Sequence, residues 1–231
     1  MPFDPSSKNR LTAHDLRRFA GDGLFDRLGR AVCRAGCLPR KELYEAWEMA
    51  RRVRRRFRSG RVVDVAGGHG LLAFAMLLLD RTSVDAIVVD PCPPPSALAL
   101  HQALAAEWPR VPRVQFAGGG LDAFTIDAAD IAVSCHACGA LTDRVLDAAA
   151  AAGARVAVMP CCHHFAAAPP ALTGWIDRAL AIDIARAQAL ERRGYTVWTQ
   201  AIPPAITPKH RLLGGSLAQP PRMKTAAAAV V

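Results

Sequence analysis

The chain has 231 residues, of which 52% are hydrophobic and 21% charged. That composition suits one domain with a sizeable core and excludes a wholly disordered chain. No run reaches the ~20 apolar residues of a membrane span, and the opening MPFDPSSKNR lacks the apolar stretch of an export signal. There are seven cysteines, and the pairs 135/138 and 161/162 are too close for an ordinary disulfide framework. With that opening, they point to reduced thiols and a cytoplasmic setting.

The net charge of +9 is unevenly placed. Residues 1–61 hold 16 Lys/Arg against 7 Asp/Glu, whereas residues 62–231 hold 13 of each. Seven arginines fall between Arg51 and Arg61, in RRVRRRFRSGR. Such a block reads as an electrostatic surface for a polyanion, with RNA the first candidate partner. Its bland alternative is a solvated helix face.

In chain order, residues 1–38 offer two short amphipathic pieces, HDLRRFA and FDRLGRAVCRAG. A longer helix is predicted from Lys41 to about Arg58, because Leu43, Trp47, Ala50, Val53 and Phe57 recur every three or four residues. Pro39 and Ser59-Gly60 bracket it as start and stop signals. Alternation follows: strand RVVDVAG, helix HGLLAFAMLLLD, strand DAIVVD, helix SALALHQALAAEW and strand RVQFAG. Then come strand ADIAVSC, helix TDRVLDAAAAAG, strand ARVAVMP and the long helix WIDRALAIDIARAQALERRG. YTVWTQAI and HRLLGGSL close the series as an antiparallel pair. Strands alternating with helices imply a parallel sheet covered on both faces. The divisions are then a basic helical N-terminal extension (1–58), an α/β domain (59–217) and a disordered tail (218–231).

The sharpest motif is VVDVAGGHGLLAFA, which puts Asp64, Ala66, Gly67, Gly68 and Gly70 at a strand-to-helix turn. Glycines let a ligand approach the backbone there, and the helix start offers free N–H groups. The next strand ends in Asp90, where a carboxylate can take both hydroxyls of a ribose. The third is followed by Gly118-Gly119-Gly120-Leu121-Asp122, where an acid can reach an adenine amino group. Acids at the carboxyl ends of three successive strands describe a nucleoside pocket.

These residues resemble the class I S-adenosylmethionine-dependent methyltransferases. The resemblance covers about residues 60–215 and implies a Rossmann-like, seven-stranded methyltransferase sheet with helices on both faces. It implies S-adenosylmethionine as cofactor. Asp64, Ala66, Gly67, Gly68 and Gly70 would seat the methionine part, Asp90 the ribose and Asp122 the adenine. Ala66 departs from the family's first glycine but remains small.

A second constellation comes from SCHACGALTD after strand four and MPCCHH after strand five. Adjacent parallel strands lie ~4.8 Å apart, so their carboxyl-terminal loops meet beside the ligand crevice. Cys135, His136, Cys138, Cys161, Cys162, His163 and His164 then share one neighbourhood. Three readings stand open. The cysteines can be filling a tight interior while the histidines bond to backbone. Cys138, Cys161 or Cys162, and a histidine can hold zinc. Or a histidine can take a proton from, or clamp, a methyl acceptor.

His136-x-Cys138-Gly139-x-Leu141-Thr142 and Pro160-Cys161-Cys162-x-His164 resemble a methyltransferase-like group that includes a eukaryotic tRNA 2′-O-methyltransferase. Pro39-Arg40-Lys41-Glu42 is similar to a basic-acidic element ahead of that group's domain. The resemblance implies His136 and His164 as catalytic candidates, takes no residue as a metal ligand and adds weight to RNA as acceptor. A Zn-binding Cys/His protein without methyl transfer is the rival reading. Lys209, His210 and Arg211 fall on a loop into the last strand, near the crevice or in a plain turn. Trp175 and Trp198 read as core anchors.

Overall fold

The computed structural model describes residues 3–108 and 111–218. Beyond Ala218, the tail expected to be disordered lies outside the described residues. The strands, rich in Val and Ile in β1, β2, β4 and β5, are β1 (Val62–Val65), β2 (Ala86–Asp90), β3 (Val114–Gly118), β4 (Ile131–Ser134), β5 (Arg155–Val158), β6 (Tyr195–Ala201) and β7 (Arg211–Leu217). They form one seven-stranded sheet in the order β3-β2-β1-β4-β5-β7-β6. β1 to β5 run parallel, and β7 enters antiparallel between β5 and β6. Chain order reverses between β1 and β4, which places the ligand crevice of such a sheet at their carboxyl ends.

The helices are α1 (Leu24–Ala35), α2 (Arg40–Arg56), α3 (Leu71–Leu79), α4 (Ala97–Ala105), α5 (Ala140–Ala152) and α6 (Arg178–Arg192). Side chains alternate across each strand, so the sheet feeds two cores. Val62, Val88, Ile131, Val133 and Ala157 pack with α1 to α4, whereas Val63, Val65, Ala132, Val156 and Val158 pack with α5 and α6. Both faces are covered, which is why the central strands read as continuous apolar runs rather than alternating ones.

α2 runs from Arg40, capped by Pro39, to Arg56. Of its predicted stripe, Leu43, Ala50, Val53 and Phe57 are buried and Trp47 partly so. The N-terminal residues are more than an appended arm: Leu11, Phe19, Leu28, Val32 and Leu38 belong to the same apolar cluster as Val62, Phe74 and Val88. One core therefore spans the expected boundary at residue 58.

Trp198 packs as an anchor should. Its ring lies 6.0 Å from that of Phe57 and fills the space over Gly214, where a Cβ would meet it at 2.3 Å. Trp175 does not: it is 87% exposed. α6 begins only at Arg178, after the Asp177 side chain accepts the Leu180 N–H at 2.9 Å. That cap starts the helix three residues past Trp175, leaving the indole on the preceding turn.

Candidate active site

The β1–α3 turn is built around a buried acid. Asp64 is 1% exposed, and its Oδ2 accepts the Ala73 N–H from the first turn of α3 at 3.1 Å. Burial pushes this carboxyl up to about 7 against that hydrogen bond, and the negative charge of Asp90 adds to the rise. Gly67 lies directly against it, since a Cβ there would meet Asp64 Cγ and Val88 Cγ1 at 2.8 Å. Ala66 (φ +54°), Gly68 (+52°) and Gly70 (+76°) have left-handed backbone. The substitution of alanine for the usual glycine at 66 therefore carries strain of about 1–2 kcal/mol, which the flanking structure holds in place.

The other two acids stand at the carboxyl ends of β2 and β3. Asp90 ends β2; its Oδ2 accepts the Gly68 N–H and its Oδ1 the Cys92 N–H, each at 3.0 Å. It thereby ties the glycine turn to the next loop. Asp122 sits in a short turn after β3, 84% exposed, and pairs with Arg144 of α5. Added Cβ atoms at Gly68, Gly118 and Gly120 would meet nothing within 4 Å, so the glycines border open space.

The wall opposite this turn brings in Glu42 of the basic-acidic element Pro39–Glu42, which the sequence placed only ahead of the domain. A narrow cavity of about 30 Å³ is bounded by Asp64, Ala66, Gly67 and His69 on one side, by Leu38, Glu42 and Ala46 on another, and by Cys135 and His136. Glu42 and His136 also line an adjoining cavity of about 300 Å³, with Lys8, Pro39, Lys41 and Glu45. Glu45 is 3% exposed; Lys41 Nζ lies 3.0 Å from its Oε1, and among the described residues its Oε2 has no hydrogen-bond partner. Ligating atoms of Glu45, Cys135 and His136 lie within 4.8 Å of one another. Burial raises the Glu42 carboxyl, opposed by the nearby His136. The available signal was two acids three residues apart, one turn before the buried Met49.

The Cys/His loops separate into four places. Cys135 is buried beside Glu45, and His136 is exposed at the crevice. Cys138, Cys161 and Cys162 gather in a second group, their sulfurs within 4.8 Å of one another. His163 turns away: its Nε2 lies 2.8 Å from Asp183 Oδ1 on α6, and Asp183 also binds Arg186 and Arg211. His164 is exposed, precedes the short turn Phe165–Ala167, and belongs to neither group. Among the described residues His136 and His164 share no close ligating group. Of the loop before β7, Arg211 is committed to Asp183, and His210 Nδ1 lies 3.1 Å from the Pro208 carbonyl.

The arginine block is mostly paired internally. Arg51 and Arg52 bind Glu48, Arg54 and Arg58 face Asp80, and Arg61 binds Asp127 and Asp130. Arg54 and Asp80 are both 2% exposed. Five of the seven therefore have an acid within 4 Å, leaving Arg55 and Arg56 without one among the described residues. The end of the block also lies at the amino ends of the strands, where Arg56, Arg58 and Gly60 share a cleft with Arg155 and Thr196. That edge is opposite the crevice.

A sheet of this order, with a glycine turn after β1 and acids at three successive strand ends, defines the class I methyltransferase fold. The chain belongs to the methyltransferase-domain family, whose model matches residues 40–168. The match starts with α2 and runs past both Cys/His loops, so it takes in the wall as well as the turn. Solved structures agree on the fold. They include the pyocyanin biosynthetic protein PhzM (20% identity, TM-score 0.51, 89% of this chain and 61% of that one). An O-methyltransferase family protein from Burkholderia thailandensis gives 20% identity and a TM-score of 0.52, over 88% of this chain and 63% of that one. The S-adenosylmethionine-dependent methyltransferase SibL gives 20% and 0.51, over 88% and 65%. The chain thus spans less than two thirds of the length of each. No curated protein matches it. Among the described residues no helix is long and apolar enough to cross a membrane.

Proposed function

We propose that the protein transfers a methyl group from S-adenosylmethionine to a hydroxyl or amine that enters beside Glu42 and His136. The observation that carries this reading is the Asp64–Gly70 turn, with the Asp90 carboxylate docked on the Gly68 N–H. The open space at Gly68, Gly118 and Gly120 suits a nucleoside lying across the strand ends, since the enclosed part of the crevice holds only about 30 Å³. Asp64, Ala66, Gly67, Gly68 and Gly70 would hold the methionine part, Asp90 the ribose hydroxyls and Asp122 the adenine amino group. When bound, the cofactor supplies an electrophilic methyl on a sulfonium centre.

The chain's own contribution is orientation and proton removal. His136 takes the acceptor's proton on its ring, and Glu42 places a carboxylate where that positive charge develops. His164, exposed on the next loop, contacts the acceptor from the rim. RNA is the acceptor class implied by the resemblance to the tRNA-modifying group. It would present a single nucleotide to the 300 Å³ cavity, with Arg55, Arg56 and Arg58 holding phosphates elsewhere.

Calorimetric titration with S-adenosylmethionine, with NAD as the control, tests the reading. Binding is expected for the first alone. Asp90→Ala should weaken it by about 1.5–3 kcal/mol through loss of a charge-assisted bond. His136→Ala should leave it within a factor of about three, on the order of 0.65 kcal/mol. Binding of NAD alone, or a donor affinity unchanged in Asp90→Ala, would overturn the assignment.

A further inference from the structure

We propose that Cys138, Cys161 and Cys162 form a metal site that takes zinc(II) through three thiolates. Cys138 follows β4 and the Cys161-Cys162 pair follows β5, and these strands are paired in parallel from Ile131↔Arg155 to Ser134↔Val158. That register delivers both loops to the same level of the sheet. The three sulfurs lie within 4.8 Å of one another, with Cys138 and Cys161 Sγ at 2.8 Å. Thiolates on one tetrahedral zinc, each at ~2.3 Å, sit ~3.8 Å apart. Small side-chain rotations bring this triangle to that spacing.

The backbone is already fixed. The Gly139 N–H donates to the Cys162 carbonyl at 3.1 Å, which clasps one loop to the other. Arg186 donates to the Gly139 carbonyl at 3.2 Å, and the Leu141 N–H to the Cys138 carbonyl at 3.1 Å. Gly139 has φ +58°, a conformation that glycine adopts without strain.

Donor chemistry selects the ion. The group contains sulfur and no carboxylate, so it favours zinc over magnesium or calcium. The neighbouring Glu45–Cys135–His136 group does not compete, because the Lys41 ammonium already sits on Glu45 and repels a dication. Three thiolates leave the fourth zinc position to water or another donor. The site stands or falls independently of methyl transfer.

The full-length chain, purified without an affinity tag and reduced with a phosphine under anaerobic conditions, should be titrated with cadmium(II) as a spectroscopic probe. A thiolate-to-cadmium absorption band that saturates at one equivalent, and that zinc(II) removes by competition, is expected. Cys138→Ser and Cys161→Ser should each lose it, whereas Cys92→Ser, on an exposed cysteine outside the group, should keep it. In the unmodified protein, zinc should protect Cys138, Cys161 and Cys162 from alkylation and leave Cys92 reactive, as read by mass spectrometry. No saturable band, equal alkylation of all four thiols with zinc present, or a band that survives in the Cys138→Ser/Cys161→Ser double variant would overturn the proposal.

Discussion

At Asp64 the fold keeps a carboxyl group buried against one backbone N–H, with its pKa raised to about 7. An unfolded aspartate titrates near ~3.9, so the folded state holds the proton more tightly. The stability this gives is complete below the unfolded pKa and is lost as pH rises through the folded one, by up to about 4 kcal/mol. Asp64→Asn keeps an acceptor for the Ala73 N–H and cannot ionise. It should therefore raise the Tm above pH 7 and change it little near pH 4. Equal shifts at both pH values would show that the carboxyl ionises freely in the folded protein. Asp64, Asp90 and the glycines were legible in the sequence because a strand-to-helix turn fixes them locally. Glu42 was legible only as part of a resembling basic-acidic element, and Glu45 not at all. They reach His136 across some ninety residues only because α2 lies over the sheet at one particular rotation, and no local pattern encodes that. The Cys/His loops were legible as neighbours, yet their division was hidden. It depends on β4 ending at Ser134, which buries Cys135 and releases Cys138.

Among the elements, α2 is bound to α3 by a pair of charges with almost no water access. Arg54 Nε donates to the Met76 carbonyl at 2.9 Å, and its terminal nitrogen reaches Asp80 at 3.2 Å. Removing one member leaves the other charged and buried. Asp80→Ala should cost about 3–5 kcal/mol in urea unfolding, and a loss under 1 kcal/mol would mean that water reaches Arg54. The same pairing bears on RNA. If RNA is the acceptor, Arg55, Arg56 and the exposed Arg58, 3.9 Å from Asp80, give three phosphate contacts, and log K should fall with log salt at a slope of about −2 to −3. A slope near −6, measured on a tRNA-sized RNA, would show that the internal pairs open on binding. Residue counting saw seven arginines within eleven residues but could not see their partners, which lie as far off in sequence as Asp130.

For the molecule as a whole, the shared core sets the unit of folding. Leu11, Phe19, Leu28, Val32 and Leu38 fill the same cluster as the strands, so deletion of residues 1–38 should abolish the cooperative thermal transition rather than shorten an arm. A truncated chain melting within a few degrees of the intact one would restore the boundary at residue 58. The alternation of strands and helices made the sheet readable from the sequence, but the attachment of its N-terminal helices depends on packing across distant segments. One consequence concerns α2. Its 17 residues span about 25 Å, with its first turns beside the crevice at Glu42 and its last beside Trp198 and the cleft of Arg155 on the far edge. Arg54 pins the last turn of this rod to Asp80. One helix thus supplies a wall of the crevice at one edge of the sheet and a rim of the cleft at the other.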